Sequence, residues 1–261
     1  MPVLQLDDVA LFYEVVGEGQ PVLLIHGLGS SGRDWEKQIE FFASRYQLIT
    51  VDIRGHGRSS KPPGPYSVDL FAEDVVRLLE TLGVGPVHVV GISMGGMIGL
   101  QLAVSWPEVV RSLVVVNSDP ELVVRTFQDR MQVWRRFLIV RLLGMRKMGE
   151  VLSQRLFPEP GQEGLREMLV ERWAENDKRA YREALRALVG WSVADQIGHI
   201  GCPTLVVSAD QDTTPVAARE AYVGQIPSAR LVVIENAHHA VTVERPEEFN
   251  AVLDEFLSEQ G

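Results

Sequence analysis

A serine between a buried strand and an apolar helix is the feature that most constrains the fold of this chain. Residues 86–96 read PVHVVGISMGG, in which β-branched valines predict a short strand and Ser93 follows within a G-x-S-x-G pattern. The apolar run Met97–Ala103 predicts a helix directly after the turn. Such a turn needs a strained backbone, and side chains at Gly91 or Gly95 would crowd it. The pattern also occurs by chance in loops, but between a strand and a helix it predicts a nucleophilic serine.

The rest of the chain alternates between buried strands and helices, except for one long helical block. Val3–Leu6 and Ala10–Val16 form a predicted hairpin. The alternation that follows predicts an α/β fold, with a mostly parallel central sheet and helices on both faces. Residues 119–200 show only helical periodicity, so we interpret them as a helical cap inserted into a core of residues 1–118 and 201–261. The strands predicted for the parallel part are Pro21–Ile25, Tyr46–Val51, Val87–Val90, Ser112–Val116, Thr204–Ser208 and Arg230–Ile234.

Capping residues mark the boundaries of two further helices. Asp34 is predicted to cap a helix over Trp35–Ala43. Ser67 or Asp69 is predicted to begin a second helix, which Gly83 ends. After the cap, the helices predicted from the apolar pattern are Val216–Gln225 and Pro246–Leu257.

A serine hydroxyl needs a base and an orienting acid, and candidates for both follow strands late in the chain. His238 and His239 follow the last predicted strand, and only one of them can point at the serine. Asp210 and Asp212 follow the strand before it, and Asp119 is a further acidic candidate. The alternative interpretation is a metal site, but the fixed ligand spacing of such sites is missing. The remaining histidines, which we interpret as structural, are His26, His56, His88 and His199.

Two backbone N–H groups are predicted to stabilise a developing oxyanion. One belongs to Met94, directly after the serine. The other is expected from the glycine-rich loop after Pro21–Ile25, where Leu28 is the natural donor. Gly27 and Gly29 on either side would let this loop approach a substrate closely.

The composition excludes several classes of protein. A net charge of -10 and a pI near 5.1 give no indication of a nucleic-acid binder. Cys202 is the only cysteine and cannot form an internal disulfide, so a reducing cytoplasm fits best. The N-terminal residues lack the pattern of a signal peptide, and no uncharged apolar run approaches the roughly 18–20 residues of a membrane span. We therefore expect a cytoplasmic protein with no nucleic-acid partner and no stable membrane association.

Four motifs resemble those of the α/β-hydrolase superfamily. They are HGLG at His26–Gly29, DIRGHGRS at Asp52–Ser59, GISMGG at Gly91–Gly96 and ERP at Glu244–Pro246. The resemblance runs nearly end to end and implies the α/β-hydrolase fold with an inserted helical cap. Within the superfamily, GISMGG followed by Met97–Gly99 is similar to enol-lactonases of aromatic catabolism, to nearby carboxylesterases, to cofactor-free perhydrolases and to carbon–carbon bond hydrolases.

The resemblance also implies roles for single residues. The family's catalytic histidine lies five residues before an E-x-P segment, which selects His239, although His238 stands where the family has glycine. Its acid lies three residues after a strand-end glycine, a position that Ala209 takes here, which selects Asp212. The implied reaction is acyl transfer on Ser93, with no metal and no organic cofactor.

These implications give a leading hypothesis and two alternatives. We expect a serine hydrolase whose partner is a small-molecule ester or lactone substrate. One alternative is a carbon–carbon bond hydrolase or perhydrolase on the same triad, and the other is a non-catalytic small-molecule receptor on the same fold. Nothing in the sequence indicates the oligomeric state.

The first half of the predicted cap is rich in arginine, interleaved with large apolar residues. It is open to three interpretations: a basic amphipathic helix that touches anionic lipid, an arginine that steers a substrate carboxylate, or a helix with an apolar underside and a solvated basic face. We expect the last of these. Trp134 and Trp191, together with Trp173, are candidates for the acyl pocket, and packing within the cap is the alternative.

Overall fold

A single eight-stranded sheet forms the centre of the computed structural model, which describes residues 2–261. Its order is β1-β2-β4-β3-β5-β6-β7-β8 for the strands β1 (Val3–Gln5), β2 (Ala10–Val16), β3 (Gln20–Ile25), β4 (Tyr46–Val51), β5 (Val87–Ile92), β6 (Val110–Val116), β7 (Thr204–Ala209) and β8 (Ala229–Ile234). β2 pairs antiparallel with β1 and β4, and every later pair is parallel. The predicted α/β fold with a mostly parallel sheet is confirmed.

Helices cover both faces of this sheet. They are α1 (Glu36–Phe42), α2 (Val68–Leu82), α3 (Met94–Ser105), α4 (Phe127–Leu156), α5 (Glu163–Ala174), α6 (Lys178–Leu188), α7 (Val216–Val223), α8 (Val241–Glu244) and α9 (Pro246–Ser258). Alternate residues of β3 divide between two cores, because successive strand side chains point to opposite faces. Leu23 and Ile25 pack into the core that contains α2 and α3, whereas Val22 and Leu24 pack with α1 and α9.

The register of the last four strands places their carboxyl ends at one edge of the sheet. Ile92 of β5 pairs with Val116 of β6, and Ala209 of β7 pairs with Ile234 of β8. Because the strands run in the same direction, the residues that follow them are brought together. This edge therefore collects the segments after residues 92, 116, 209 and 234.

Sequence signals located both ends of α2 correctly and misplaced the start of α1. Ser67 Oγ accepts the Leu70 N–H at 3.0 Å at the start of α2, and Gly83 ends this helix with a φ of 65°. The prediction that Asp34 caps a helix was wrong, because Gly32–Trp35 forms a 3₁₀ turn and α1 begins only at Glu36. Asp34 lies inside that turn and makes no helix cap.

The helices α4, α5 and α6 lie between β6 and β7, in the segment predicted to be a cap. Gly144 interrupts α4 with a φ of 83°, so this helix consists of two segments. Asn176 Nδ2 donates to the Gly29 carbonyl at 2.8 Å, and Gln162 Nε2 donates to Glu244 Oε1 at 2.8 Å. These contacts attach the helical block to the loops at the carboxyl edge of the sheet. Within residues 2–261, none of the helices has the length and apolar character needed to span a bilayer.

Candidate active site

Ser93 lies at the turn from β5 into α3 and has a strained backbone, with φ 54° and ψ -115°. A Cβ atom at Gly91 would overlap the Gly95 carbonyl, and one at Gly95 would overlap the Ile25 carbonyl. The Ser93 N–H donates to the Val116 carbonyl at 2.9 Å, which ties the turn to β6. The two glycines are thus required by close backbone approach, as the sequence predicted.

His239 and Asp212 form a hydrogen-bonded pair at the ends of β8 and β7. His239 Nδ1 lies 2.8 Å from Asp212 Oδ1, and the carboxylate is fully buried. Burial acts to raise the pKa of Asp212, but the hydrogen bond and charge of His239 and the charge of Arg219 outweigh it and lower the pKa to about 2. Asp212 is therefore ionised at neutral pH and accepts the Nδ1 proton, which leaves His239 Nε2 as the free acceptor.

The neighbouring candidates contact other groups. His238 Nδ1 lies 2.9 Å from Glu244 Oε1, and Glu244 Oε2 accepts the His238 N–H at 2.6 Å. Asp210 Oδ1 accepts the Ala237 N–H at 3.1 Å. The alternatives that the sequence left open are thus separated by their hydrogen bonds. Among residues 2–261, no group of three or more histidine, cysteine or acidic residues is arranged to hold a metal ion.

A buried arginine that the sequence analysis did not single out completes the surroundings of the acid. Arg219 on α7 is fully buried and forms an ion pair with Asp212 Oδ2. Its Nη1 donates to Ser208 Oγ at 2.8 Å and to the Thr214 carbonyl at 3.1 Å. One carboxylate oxygen therefore faces His239 and the other faces Arg219, which fixes the orientation of the carboxylate. The only sequence signal for this role was weak, because it consisted of one charged residue, Arg219, in a helix predicted to pack on the sheet.

Asp119 lies in the same charged environment without joining the histidine pair. Burial raises the pKa of its carboxyl group, against the charge of Arg219 and a hydrogen bond from Thr214. Asp119 therefore has a weaker tendency to ionise than Asp212, whose pKa is lowered.

Two residues after β6 join the segments that carry the serine, the acid and the histidine. Asn117 Nδ2 donates to the His239 carbonyl at 2.9 Å, and Asn117 Oδ1 accepts the Ala209 N–H at 2.8 Å. Ser118 Oγ donates to the Ser93 carbonyl at 2.7 Å. The sequence analysis missed both residues, although polar side chains directly after a buried strand were a usable signal.

His26 fixes the loop that carries Leu28, the predicted oxyanion donor. The Ile53 N–H donates to His26 Nε2 at 3.0 Å, so the proton of the neutral ring is on Nδ1, which donates to the Gly27 carbonyl at 2.7 Å. Burial lowers the pKa of His26 and favours this neutral form. Because the Gly27–Leu28 peptide is planar, holding its carbonyl also fixes the direction of the Leu28 N–H. Met94, the second predicted donor, is the first residue of α3, where N–H groups have no partner within the helix.

The cap tryptophans occupy three different environments. Trp173 packs against the oxyanion loop, since a Cβ atom at Gly29 would lie 2.8 Å from its ring. Trp191 is buried and donates from Nε1 to Gln101 Oε1 at 2.7 Å, whereas Trp134 is 55% exposed on α4. A substrate-binding role for Trp134 and Trp191 stays a prediction, and Trp173 is the one that contacts this loop.

A strained serine and a hydrogen-bonded histidine–carboxylate pair, each after a parallel strand of one sheet, are the arrangement typical of α/β hydrolases. The chain belongs to the alpha/beta hydrolase fold family, whose profile matches residues 20–246. The family resemblance of the sequence motifs is thereby confirmed.

The chain is similar over almost its whole length to several named hydrolases. Over 259 residues the chain is 33% identical to 3-oxoadipate enol-lactonase 2 of Acinetobacter baylyi, covering 96% of this chain and 94% of that protein. It is 31% identical to the putative carbamate hydrolase RutD of Azorhizobium caulinodans over 270 residues, covering 99% of each. The crystal structure of the enol-lactonase from Burkholderia xenovorans superposes with a TM-score of 0.91 at 25% identity, covering 98% of this chain and 100% of that one. The chain is a hydrolase, as predicted.

Proposed function

We propose that this protein hydrolyses a small carboxylic ester or lactone through an acyl-enzyme formed on Ser93. The observation that carries the proposal is the His239–Asp212 pair at the same sheet edge as the strained serine. The ionised Asp212 orients the imidazole and stabilises its protonated form, so that His239 Nε2 can act as a base. A base that returns its proton to a leaving oxygen suits ester cleavage.

The acylation step follows from these roles. Ser93 Oγ attacks the substrate carbonyl carbon while His239 Nε2 takes the hydroxyl proton. The N–H groups of Met94 and Leu28 donate to the oxyanion, and losing one such donor typically costs about 3 kcal/mol of transition-state stabilisation. Collapse breaks the bond from carbon to the alcohol oxygen, which takes the proton from His239. In a lactone this alcohol stays attached to the acyl chain.

Deacylation repeats the same proton transfers with water as the nucleophile. Water attacks the acyl carbon and gives a proton to His239, and collapse returns that proton to Ser93 Oγ with release of the carboxylic acid. None of these steps uses a metal or an organic cofactor. The enol-lactonase name of one relative supports an ester-type bond, whereas the carbamate hydrolase name of another makes a carbamate the nearest competing substrate.

We expect a fluorophosphonate probe to label Ser93 and the protein to hydrolyse p-nitrophenyl acetate and small lactones. Ser93→Ala should abolish the labelling and lower kcat by about 10⁶-fold. The measurement is a substrate panel that adds a carbamate, a vinylogous diketone and hydrogen peroxide with acetate. Turnover of one of these without any ester or lactone turnover would contradict the proposal. Failure of the folded protein to be labelled would favour the receptor alternative.

The geometry of Arg136 supports a substrate that carries a carboxylate. Arg136 Nε donates to the Tyr181 hydroxyl, and a Cβ atom at Gly29 would lie 3.1 Å from the Tyr181 ring. Arg136 is thus linked to the oxyanion loop through one side chain. Within residues 2–261 it forms no ion pair with a carboxylate, so its charge is available to a substrate anion.

Arg136→Gln should lower kcat/KM about tenfold or more for an ester with a terminal carboxylate, because a charge-assisted hydrogen bond is lost. The neutral ester of the same length should be hydrolysed at an unchanged rate. Arg135→Gln is the matched control, because Arg135 is exposed on the same helix and is rotated by about 100° about the helix axis from Arg136. Equal losses on both esters would show that Arg136 only supports the cap.

A further inference from the structure

The first segment of α4 leaves an apolar stripe on the outside of the protein. Phe127, Met131, Trp134, Leu138 and Leu142 follow one another at intervals of three or four residues and so share one helix face, which we name the outer stripe. Phe127 is 79% exposed and Leu142 is 66% exposed. The expectation that the apolar face of this helix is its buried underside therefore fails for the outer stripe.

Exposed apolar side chains are concentrated in this part of the molecule. Within residues 2–261, seven of the twelve large apolar side chains that are exposed lie between residues 122 and 143. Single exposed apolar residues are ordinary, but a contiguous patch marks a surface that another phase or molecule covers. The helical segment 127–143 is about 25 Å long, so the patch is too long to be the rim of one small-molecule pocket.

Cationic side chains flank the outer stripe. Arg130, Arg135 and Arg141 are exposed, and none of the three forms an ion pair within residues 2–261. Asp129, the one acidic residue of segment 127–143, accepts the Thr126 N–H at 2.9 Å in the helix cap. The surface is therefore positive in a protein whose net charge is -10.

A cleft between α4 and α6, lined in part by two members of the outer stripe, gathers further guanidinium groups. It has a volume of about 320 Å³ and is lined by Trp134, Phe137, Leu138, Arg141, Arg182 and Arg186. Arg182 Nε is buried and has no hydrogen-bond partner among the described residues. A buried donor without a partner is costly, and a phosphate oxygen would satisfy it.

We propose that the outer stripe docks on the surface of an anionic phospholipid bilayer. Phe127, Trp134 and Leu142 enter the boundary between headgroups and acyl chains, while the flanking arginines contact lipid phosphates and the cleft receives one headgroup. The proposal departs from the expectation of no stable membrane association. The binding is peripheral, and it is sensitive to salt because the attraction comes from exposed arginines on a protein that is otherwise acidic. It does not rest on the proposed ester hydrolysis.

Other occupants fit the observations less well. A second copy of the chain would place the same arginines against each other across a two-fold axis, without acidic residues to pair with them. A free phosphate could fill the cleft but would leave the outer stripe exposed. A nucleic acid would use the positive charge but not Phe127 and Leu142, the most exposed apolar residues of the stripe.

Vesicle co-sedimentation with the whole chain tests the proposal. We expect binding to vesicles of phosphatidylcholine mixed with phosphatidylglycerol, at least tenfold weaker binding to phosphatidylcholine alone, and loss of binding at high salt. Trp134 should be quenched by lipids with brominated acyl chains, and Trp134→Phe should remove that signal. The other tryptophans are buried, as Trp35, Trp173 and Trp191 are, or half-buried at the C-terminal end of α3, as Trp106 is. Neither readout depends on catalysis, so a failure here is distinct from a failure of the proposed function.

Two kinds of variant probe the surface independently. Phe127→Ser with Leu142→Ser should weaken vesicle binding about tenfold or more, and Arg130→Gln, Arg135→Gln and Arg141→Gln should each weaken it about fivefold. Phe41→Ser on α1 is the apolar control, because Phe41 is 46% exposed far along the chain from the outer stripe. Arg146→Gln is the charge control, because Arg146 is paired with Glu171 beyond the kink of α4.

Three results would overturn the proposal. One is equal binding to both kinds of vesicle, or none to either. Another is vesicle binding as strong as that of the wild type both for the variant with Phe127→Ser and Leu142→Ser and for the three arginine variants. The third is evidence that another molecule covers the outer stripe or fills the cleft. Such evidence would be a dimer in sedimentation that Phe127→Ser dissociates, or binding of a DNA duplex in place of vesicles. Binding of glycerol phosphate in the cleft without any vesicle binding would have the same meaning.

Discussion

His239→Ala is expected to lower kcat for an ester substrate by about 10⁶-fold, close to the loss expected for Ser93→Ala. Without an imidazole to take its proton, the Ser93 hydroxyl remains a weak nucleophile, and Asp212 has no ring to orient. The residual rate comes from the two N–H donors and from substrate binding. Single-turnover kinetics with p-nitrophenyl acetate on the purified variant measure this effect.

His238→Gln is the matched control for the neighbouring histidine. His238 bonds to Glu244 rather than to the Asp212 carboxylate, and glutamine retains a side-chain donor for Glu244. We expect this variant to keep most of its kcat and to lose about 1 kcal/mol of unfolding free energy. If His238→Gln were inactive and His239→Ala active, the base assignment would be wrong, and so would the assignment of Asp212 as its orienting acid.

Arg219→Met is expected to reduce the free energy of unfolding by about 3–5 kcal/mol. Both members of the Arg219–Asp212 pair are fully buried, so removing the guanidinium leaves a buried carboxylate with one partner fewer. Urea denaturation at neutral pH measures the loss. Arg45→Met is the control, because the exposed Arg45–Asp254 pair should contribute less than about 1 kcal/mol.

The same variant should change the response to acid. Asp212 has a pKa of about 2 in the folded protein, below its ordinary value of 3.8, so its ionised form stabilises the fold above about pH 4 and this contribution is lost as the pH falls towards 2. Without Arg219 the pKa is lowered less, and acid unfolding should begin at a higher pH. Unchanged acid unfolding in Arg219→Met would show that Arg219 does not act on Asp212.

Enzyme activity distinguishes an effect of Arg219 on the catalytic acid from a purely structural role of Arg219. Arg219 shares the negative charge of Asp212 with His239. Removing it leaves the Asp212 carboxylate free to turn away from the imidazole, so kcat should fall while KM stays nearly unchanged. Arg219→Lys, which keeps the positive charge, should restore part of kcat.

Local sequence determined the elements that depend on neighbours along the chain. The valine run, the glycines at positions 91 and 95 and the serine between them predicted a strained turn, because backbone crowding acts over a few residues. Ser67 and Gly83 likewise located the ends of α2. The same reasoning failed at Asp34, where a 3₁₀ turn precedes the helix and no local pattern distinguished the two.

The candidate site was predictable only in part. Strand ends predicted which segments meet, and the family resemblance selected Asp212 and His239 from two adjacent pairs. The residues themselves could not make that selection, because it depends on how two loops far apart in the chain face each other. The hydrogen bonds between Asp212 and His239 and between His238 and Glu244 resolve it geometrically.

The sequence by itself determined the α/β alternation, the turn that presents Ser93 and the amphipathic pattern of α4. Only the tertiary structure decided that Arg219 pairs with Asp212, that Asn117 joins the loops after β7 and β8, and that the outer stripe faces outward. The physical reason is the distance along the chain over which each interaction acts. Backbone conformation and periodicity are set by residues within one or two turns, whereas the partner of a buried charge and the exposed side of a helix depend on which distant segments pack beside them.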